Sequence, residues 1–112
     1  MQTEAIITTL LDAARFLKQP IRDVAGQAVK EAYEAAKSCL RKILGIDSDG
    51  AKALDLATEK PESASRKAVL VEEADTAGMD RDPVLRQLIE ELAKALPEAL
   101  RTFLGAVSRV LQ

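Results

Sequence analysis

Few residues in this chain are of types that do chemistry. Glu72-Glu73 and Glu90-Glu91 pair carboxylates, Asp47-Ser48-Asp49-Gly50 gathers oxygen donors, and Cys39 is the single thiol. A working acid/base dyad needs two carboxyls converging on one point. Adjacent residues on a helix instead point about 100° apart, so both Glu pairs read as solvated faces. The Asp47 cluster lacks the ligand spacing of a calcium loop, since neither Gly50 nor Glu59 falls where that loop needs it. It reads as a turn and helix cap. Ser48, Gly50 and Lys52 do not follow the Gly-Lys-Ser/Thr order of a phosphate loop. Cys39 has no base beside it, because the chain contains no His. The same lack removes the usual metal ligand and the usual general base near neutral pH. These absences point away from an enzyme and away from a cofactor or metal, and towards binding, assembly or membrane action.

The elements behind these residues read as helices throughout. Hydrophobic residues make up 47% of the 112, aromatics only 3%. Ala, Leu, Glu, Lys and Arg dominate, a helix-forming palette. Around Thr3–Lys18, Ile6, Leu10 and Leu17 repeat at helical spacing beside Ile7, Leu11, Ala14 and Phe16. Only Glu4, Asp12, Arg15 and Lys18 interrupt that segment with charge. A helix this apolar is either central in a bundle or a membrane-active end, and periodicity favours the first. A long second helix is expected from Pro20 to about Leu44. It carries a small-residue stripe (Ile21, Ala25, Ala28, Ala32, Ala35, Cys39) next to a bulkier one (Val24, Val29, Tyr33, Ala36, Leu40, Ile43).

Gly45 suits its C-cap. A short helix over about 50–59 is expected to anchor through Leu54 and Leu56. A fourth, capped by Ser63, should run to about Thr76 and bury at best Ala64, Ala68, Leu70, Val71 and Ala74. Asp82-Pro83 opens the next with N-cap and N1 chemistry. Its stripe runs Leu85, Leu88, Ile89, Leu92, Ala93, Leu96, and Pro97 either kinks it or starts a further helix with Leu100, Phe103, Leu104 and Val107 inward. No segment alternates with the period of a strand. The fold class is therefore all-α, a compact bundle of five to six helices in a single domain over residues 1–112.

Charge is uneven. Residues 1–46 carry seven Lys/Arg against five Asp/Glu, residues 47–98 seven against thirteen, and residues 99–112 two against none. The concentrated basic face of a nucleic-acid binder is missing. The mildly basic ends permit contact with an anionic membrane. A lone Cys implies a reducing compartment, and no run reaches the about 20 apolar residues of a membrane span. An Ala-rich core buries little area per residue, so a homo-oligomer is expected.

With the helices placed, a family resemblance emerges. Leu54–Leu96 shows a short Leu helix, then Lys60-Pro61-Glu62-Ser63, a helix near Arg66-Lys67-Ala68, and Asp82-Pro83 before a Leu/Ile/Glu helix. Upstream stand Ala5-Ile6-Ile7-Thr8-Thr9-Leu10-Leu11 with Phe16-Leu17, followed by the Ala/Val/Lys-rich run 24–44. Together these resemble the bacterial Bell domains of amyloid-signalling defence proteins, likened to fungal HeLo cell-death effectors. The resemblance implies a cytoplasmic effector, recruited to the inner face of the cell membrane, that self-assembles and perturbs lipid through its first helix. Ile6, Ile7, Leu10, Leu11, Phe16 and Leu17 would then be the membrane-active residues. The short amyloid motif typical of such proteins is not visible here. The alternative is a non-enzymatic adaptor that docks a signalling partner or itself. Ala25, Ala28, Ala32, Ala35, Phe103 and Val107 are the candidate packing or self-association face for that role.

Overall fold

The computed structural model describes the backbone of residues 2–18 and 24–111 and the side chains of residues 2–18 and 26–97. Among these residues every regular element is helical: α1 (Thr3–Leu17), α2 (Val24–Leu44), α3 (Asp49–Glu59), α4 (Ala64–Thr76), a 3-10 turn (Met79–Arg81) and α5 (Pro83–Leu111).

The helix starts follow local chemistry. Ser48, Ser63 and Asp82 hold extended backbone, and each side chain accepts a backbone N–H three residues on. The bonds are Ala51 N to Ser48 Oγ at 3.1 Å, Arg66 N to Ser63 Oγ at 3.3 Å and Leu85 N to Asp82 Oδ1 at 2.9 Å. Each satisfies a donor that the helix leaves orphaned. Two stops use left-handed glycine. Gly45 (φ 95°) takes the chain out of α2, and Gly78 (φ 74°) takes it out of the α4 cap. A Cβ at either position would be strained.

Polar contacts fix the packing directions. Thr3 meets Asp75 at one end of α1, while Arg15 and Lys18 meet the Glu59–Pro61 corner at the other, so α1 runs antiparallel to α4. The start of α5 lies along the C-terminal half of α2, so those two are antiparallel as well. The α2–α5 pair has the most extensive packing, and α1 touches all the other helices. The core takes Ile6, Ile7 and Leu10 from α1, Val29 and Leu40 from α2, and Leu54 from α3. Leu70 from α4, Met79 from the turn, and Leu85, Ile89 and Leu92 from α5 complete it. Each such side chain, fully buried, stabilises the fold by about 1.5–3 kcal/mol.

Several expectations need correction. Leu56 does not anchor α3. It is 49% exposed, and Leu54, Ala53 and Ala57 face inward instead, because residues 54 and 56 lie roughly 160° apart around the helix and cannot share one face. Ala64 and Ala68 are exposed, leaving Leu70 and Ala74 as the buried residues of α4. Ala93 is exposed as well. The helix does not restart at Pro97: α5 runs through it and, at 29 residues, exceeds the 21 of α2. The stripe Leu85, Ile89, Leu92 and Leu96 is buried up to that point, and such packing offsets the single backbone bond that proline removes. The expected start of α2 at Pro20, and the inward placing of Leu100, Phe103, Leu104 and Val107, lie outside the described residues and side chains.

Candidate functional site

The residues proposed for membrane action sit on α1. Ile6, Ile7, Leu10, Leu11 and Phe16 are buried, and Leu17 is half-buried. The helical repeat puts Thr3, Ile7, Leu10 and Ala14 on one face. Glu4, Ala5, Asp12 and Arg15 project into solvent and Thr8 and Thr9 are half-buried, while Ile6, Ile7, Leu10, Leu11, Ala13, Ala14 and Phe16 are held in the core.

Both ends of α1 are tied by polar contacts. Thr3 Oγ1 donates to Asp75 Oδ1 at 2.9 Å across 72 residues of chain. Arg15 Nη2 donates to the Pro61 carbonyl at 3.5 Å, and Lys18 Nζ donates to the Glu59 carbonyl. The last two cations sit at the C-terminal end of α3, where unpaired carbonyls and the helix dipole favour positive charge. Arg66 Nη1 caps the same end through the Leu56 carbonyl at 2.9 Å. None of these long-range ties follows from sequence spacing; the one local signal is that Thr3 shares a helical face with Ile7 and Leu10.

The proposed self-association face is placed differently. On α2, Ala28 and Ala35 are exposed, Ala32 and Cys39 are half-buried, and the bulkier stripe of Val29, Ala36 and Leu40 fills the core. Val29 and Leu40 remove more apolar area from water than Ala does, so they set the inward face, and Ala36 lies on it between them. The side chains of Ala25, Phe103 and Val107 lie outside those described. Beside Ala35 runs an open groove of about 560 Å³ between α2 and α5. Cys39, Ile43, Val84 and Leu88 line it, with Lys42 and Asp82 supplying charge. Burial, and to a lesser degree the Asp82 carboxylate, push the Cys39 thiol above its ordinary pKa, against a smaller pull from Lys42. The thiol is therefore protonated at neutral pH and is a poor nucleophile.

The other chemistry-bearing groups stay apart. Among the described residues no cluster of His, Cys, Asp or Glu could hold a metal ion. Glu72, Glu90 and Glu91 are exposed on helix surfaces. Asp55 is held below the usual carboxylate range by its hydrogen bonds to Arg41, which link α3 to α2. Burial raises the Tyr33 phenol, and a hydrogen bond to Thr58 opposes that shift. Among the described residues no helix is long and apolar enough to cross a membrane.

What remains as distinctive is an apolar first helix packed against four others. The model of the Het-E N-terminal domain matches residues 2–102. The chain belongs to the Het-E N-terminal domain family. That family groups HeLo-like helical domains associated with fungal NLR-type proteins, so this chain is a helical domain related to cell death and signalling. The match supports the HeLo side of the resemblance read from the sequence and does not carry its bacterial attribution. No curated protein and no solved structure matches the chain.

Proposed function

We propose that this Het-E N-terminal domain is a cell-death effector of a defence system that self-assembles and perturbs an anionic membrane through α1, at the inner face of the cell membrane. The observation that carries this reading is the make-up of α1. One 15-residue helix concentrates Ile6, Ile7, Leu10, Leu11 and Phe16, all buried. Once uncovered, such a helix has more apolar surface than water tolerates and suits a lipid interface. At rest the same residues form part of the core, so the resting domain is a closed state.

The test is dye release from vesicles of anionic lipid, with neutral-lipid vesicles as control, using the whole chain. An environment-sensitive fluorophore on Asp12→Cys, in a Cys39→Ala background, reports where α1 goes, because Asp12 is exposed at rest. Leakage of anionic vesicles with a blue-shifted probe supports the reading. Leakage without a probe shift removes α1 from the mechanism, and an intact vesicle with a folded protein removes membrane action.

A second reading is favoured by one observation, the exposed Ala35 on the α2–α5 groove, with Ala28 exposed further along the same helix. On it the domain is a non-enzymatic adaptor or oligomerisation module that docks a second copy or a signalling protein. It predicts a stable oligomer without leakage, measured by sedimentation.

A further inference from the structure

We propose that α4 is a lid over α1: it opens as a unit, ahead of any detachment of α1, and so controls access to the apolar face that α1 shows to it. Its use in exposing α1 to lipid rests on the membrane reading above; the opening itself does not. Several independent features single out α4.

Of the helices whose side chains are fully described it buries the fewest residues, Leu70 and Ala74, with Val71 half-buried beside them. Its apolar residues are spread around the helix rather than gathered on one side, so Val69 is 52% exposed and Ala64 and Ala68 also face solvent. A helix patterned this way gains less from staying docked than one with a single apolar face. Its packing is chiefly on α3 and then on α1 and the 3-10 turn, while α2 and α5 form the most extensive pair without it.

Its two ends can turn. Gly78 holds a left-handed backbone at the far end, with open space where a Cβ would stand, and joins α4 to Met79, which is buried in the core. The near end is the tight turn at Lys60–Ser63, which Arg15 and Lys18 keep attached to α1. The Thr3–Asp75 hydrogen bond holds the C-terminal end of α4, next to Gly78, against α1. Thr3 shares its helical face with Ile7 and Leu10, so the catch lies on the side of α1 whose apolar residues an open lid would uncover.

Amide hydrogen exchange on the whole chain, resolved by peptide, tests this without lipid. Residues 64–76 should exchange at least about tenfold faster than 29–43 and 85–96, with 3–17 still protected. Thr3→Val keeps the shape of the side chain and removes the donor. It should speed exchange in 64–76 a further about three- to tenfold and leave 29–43 unchanged, as loss of one hydrogen bond allows. Gly78→Ala adds only backbone strain and should act on the same segment. The proposal is overturned if 3–17 exchanges with or before 64–76, or if Thr3→Val speeds all segments equally. If either variant fails to fold, the wild-type order of exchange decides alone. Vesicles that stay intact while 64–76 opens first would sink the membrane reading and leave the lid standing.

Discussion

Helices α1 and α4 lie side by side, antiparallel and of similar length, yet the sequence commits them to the fold to different degrees. α1 contributes Ile6, Ile7, Leu10, Leu11 and Phe16 to the core, whereas α4 contributes Leu70 and Ala74. At about 1.5–3 kcal/mol for each large apolar side chain, that difference is several kcal/mol, far more than the about 1 kcal/mol of a hydrogen bond such as Thr3–Asp75. The helix proposed for membrane action is therefore among the best-secured elements, and its neighbour buries less. An activating event has an easier target in the cover than in the helix beneath it.

The largest expected effect tests that ranking. Leu10→Ala should destabilise the fold by about 2–5 kcal/mol, with the cavity cost added to the lost burial. Leu70 is just as buried, so packing alone predicts an equal loss for Leu70→Ala. If α4 opens locally, however, the global loss at Leu70 cannot exceed the free energy of that opening. The urea midpoint should fall clearly less for Leu70→Ala than for Leu10→Ala. Equal shifts would mean that α4 and α1 unfold as one unit.

The caps give a smaller and cleaner contrast. Asp82→Ala removes the acceptor for Leu85 N, and Ser63→Ala the one for Arg66 N. Either loss is worth about 0.5–2 kcal/mol locally. Because α5 belongs to the framework, Asp82→Ala should lower the midpoint of global unfolding by that amount. Ser63→Ala should speed exchange in 64–76 and move the global midpoint less.

The sequence shows most of the framework and little of this contrast. The N-caps Ser63 and Asp82, the C-cap Gly45 and the stripe Leu85–Leu96 are local signals, and the structure places each where its chemistry requires. The inward face of α1 is legible for the same reason, since periodicity alone favours a core helix there. In α4 the stripe is not legible, because Ala64, Ala68 and Val69 are as apolar as the residues that do turn inward. Only the packing partner decides which side is buried, and that is tertiary information. The small-residue stripe of α2 misleads in the same way: Ala28 and Ala35 look like a packing face but lose the inward side to Val29, Ala36 and Leu40. The ties Thr3–Asp75 and Lys18–Glu59 span too much chain to be read from spacing.

The smallest effect concerns the tie on the framework side. Arg41 joins α2 to Asp55 of α3 through its guanidinium, with Nη1 to Oδ2 at 3.2 Å and a shorter second contact. The pair is open to solvent, so Arg41→Ala should cost only about 0.2–1 kcal/mol, less in high salt. The sign with pH follows from Asp55. Its folded pKa lies below the unfolded value of about 3.9, lowered first by the hydrogen bond to Arg41 and opposed by burial. The pair therefore stabilises the fold fully above about pH 4, and that contribution disappears as pH falls through the lower, folded value. The stability gap between wild type and Arg41→Ala should stay level from pH 7 to pH 5 and close in acid. Exchange in 64–76 should be the same in both proteins, because this tie fixes α3 to α2 and leaves the Thr3 catch on α4 untouched. A variant that speeds exchange across 49–76 as a block would instead make α3 part of the moving lid and shift its near-end joint from the Lys60–Ser63 turn to Gly45, with Gly78 still the joint at the far end.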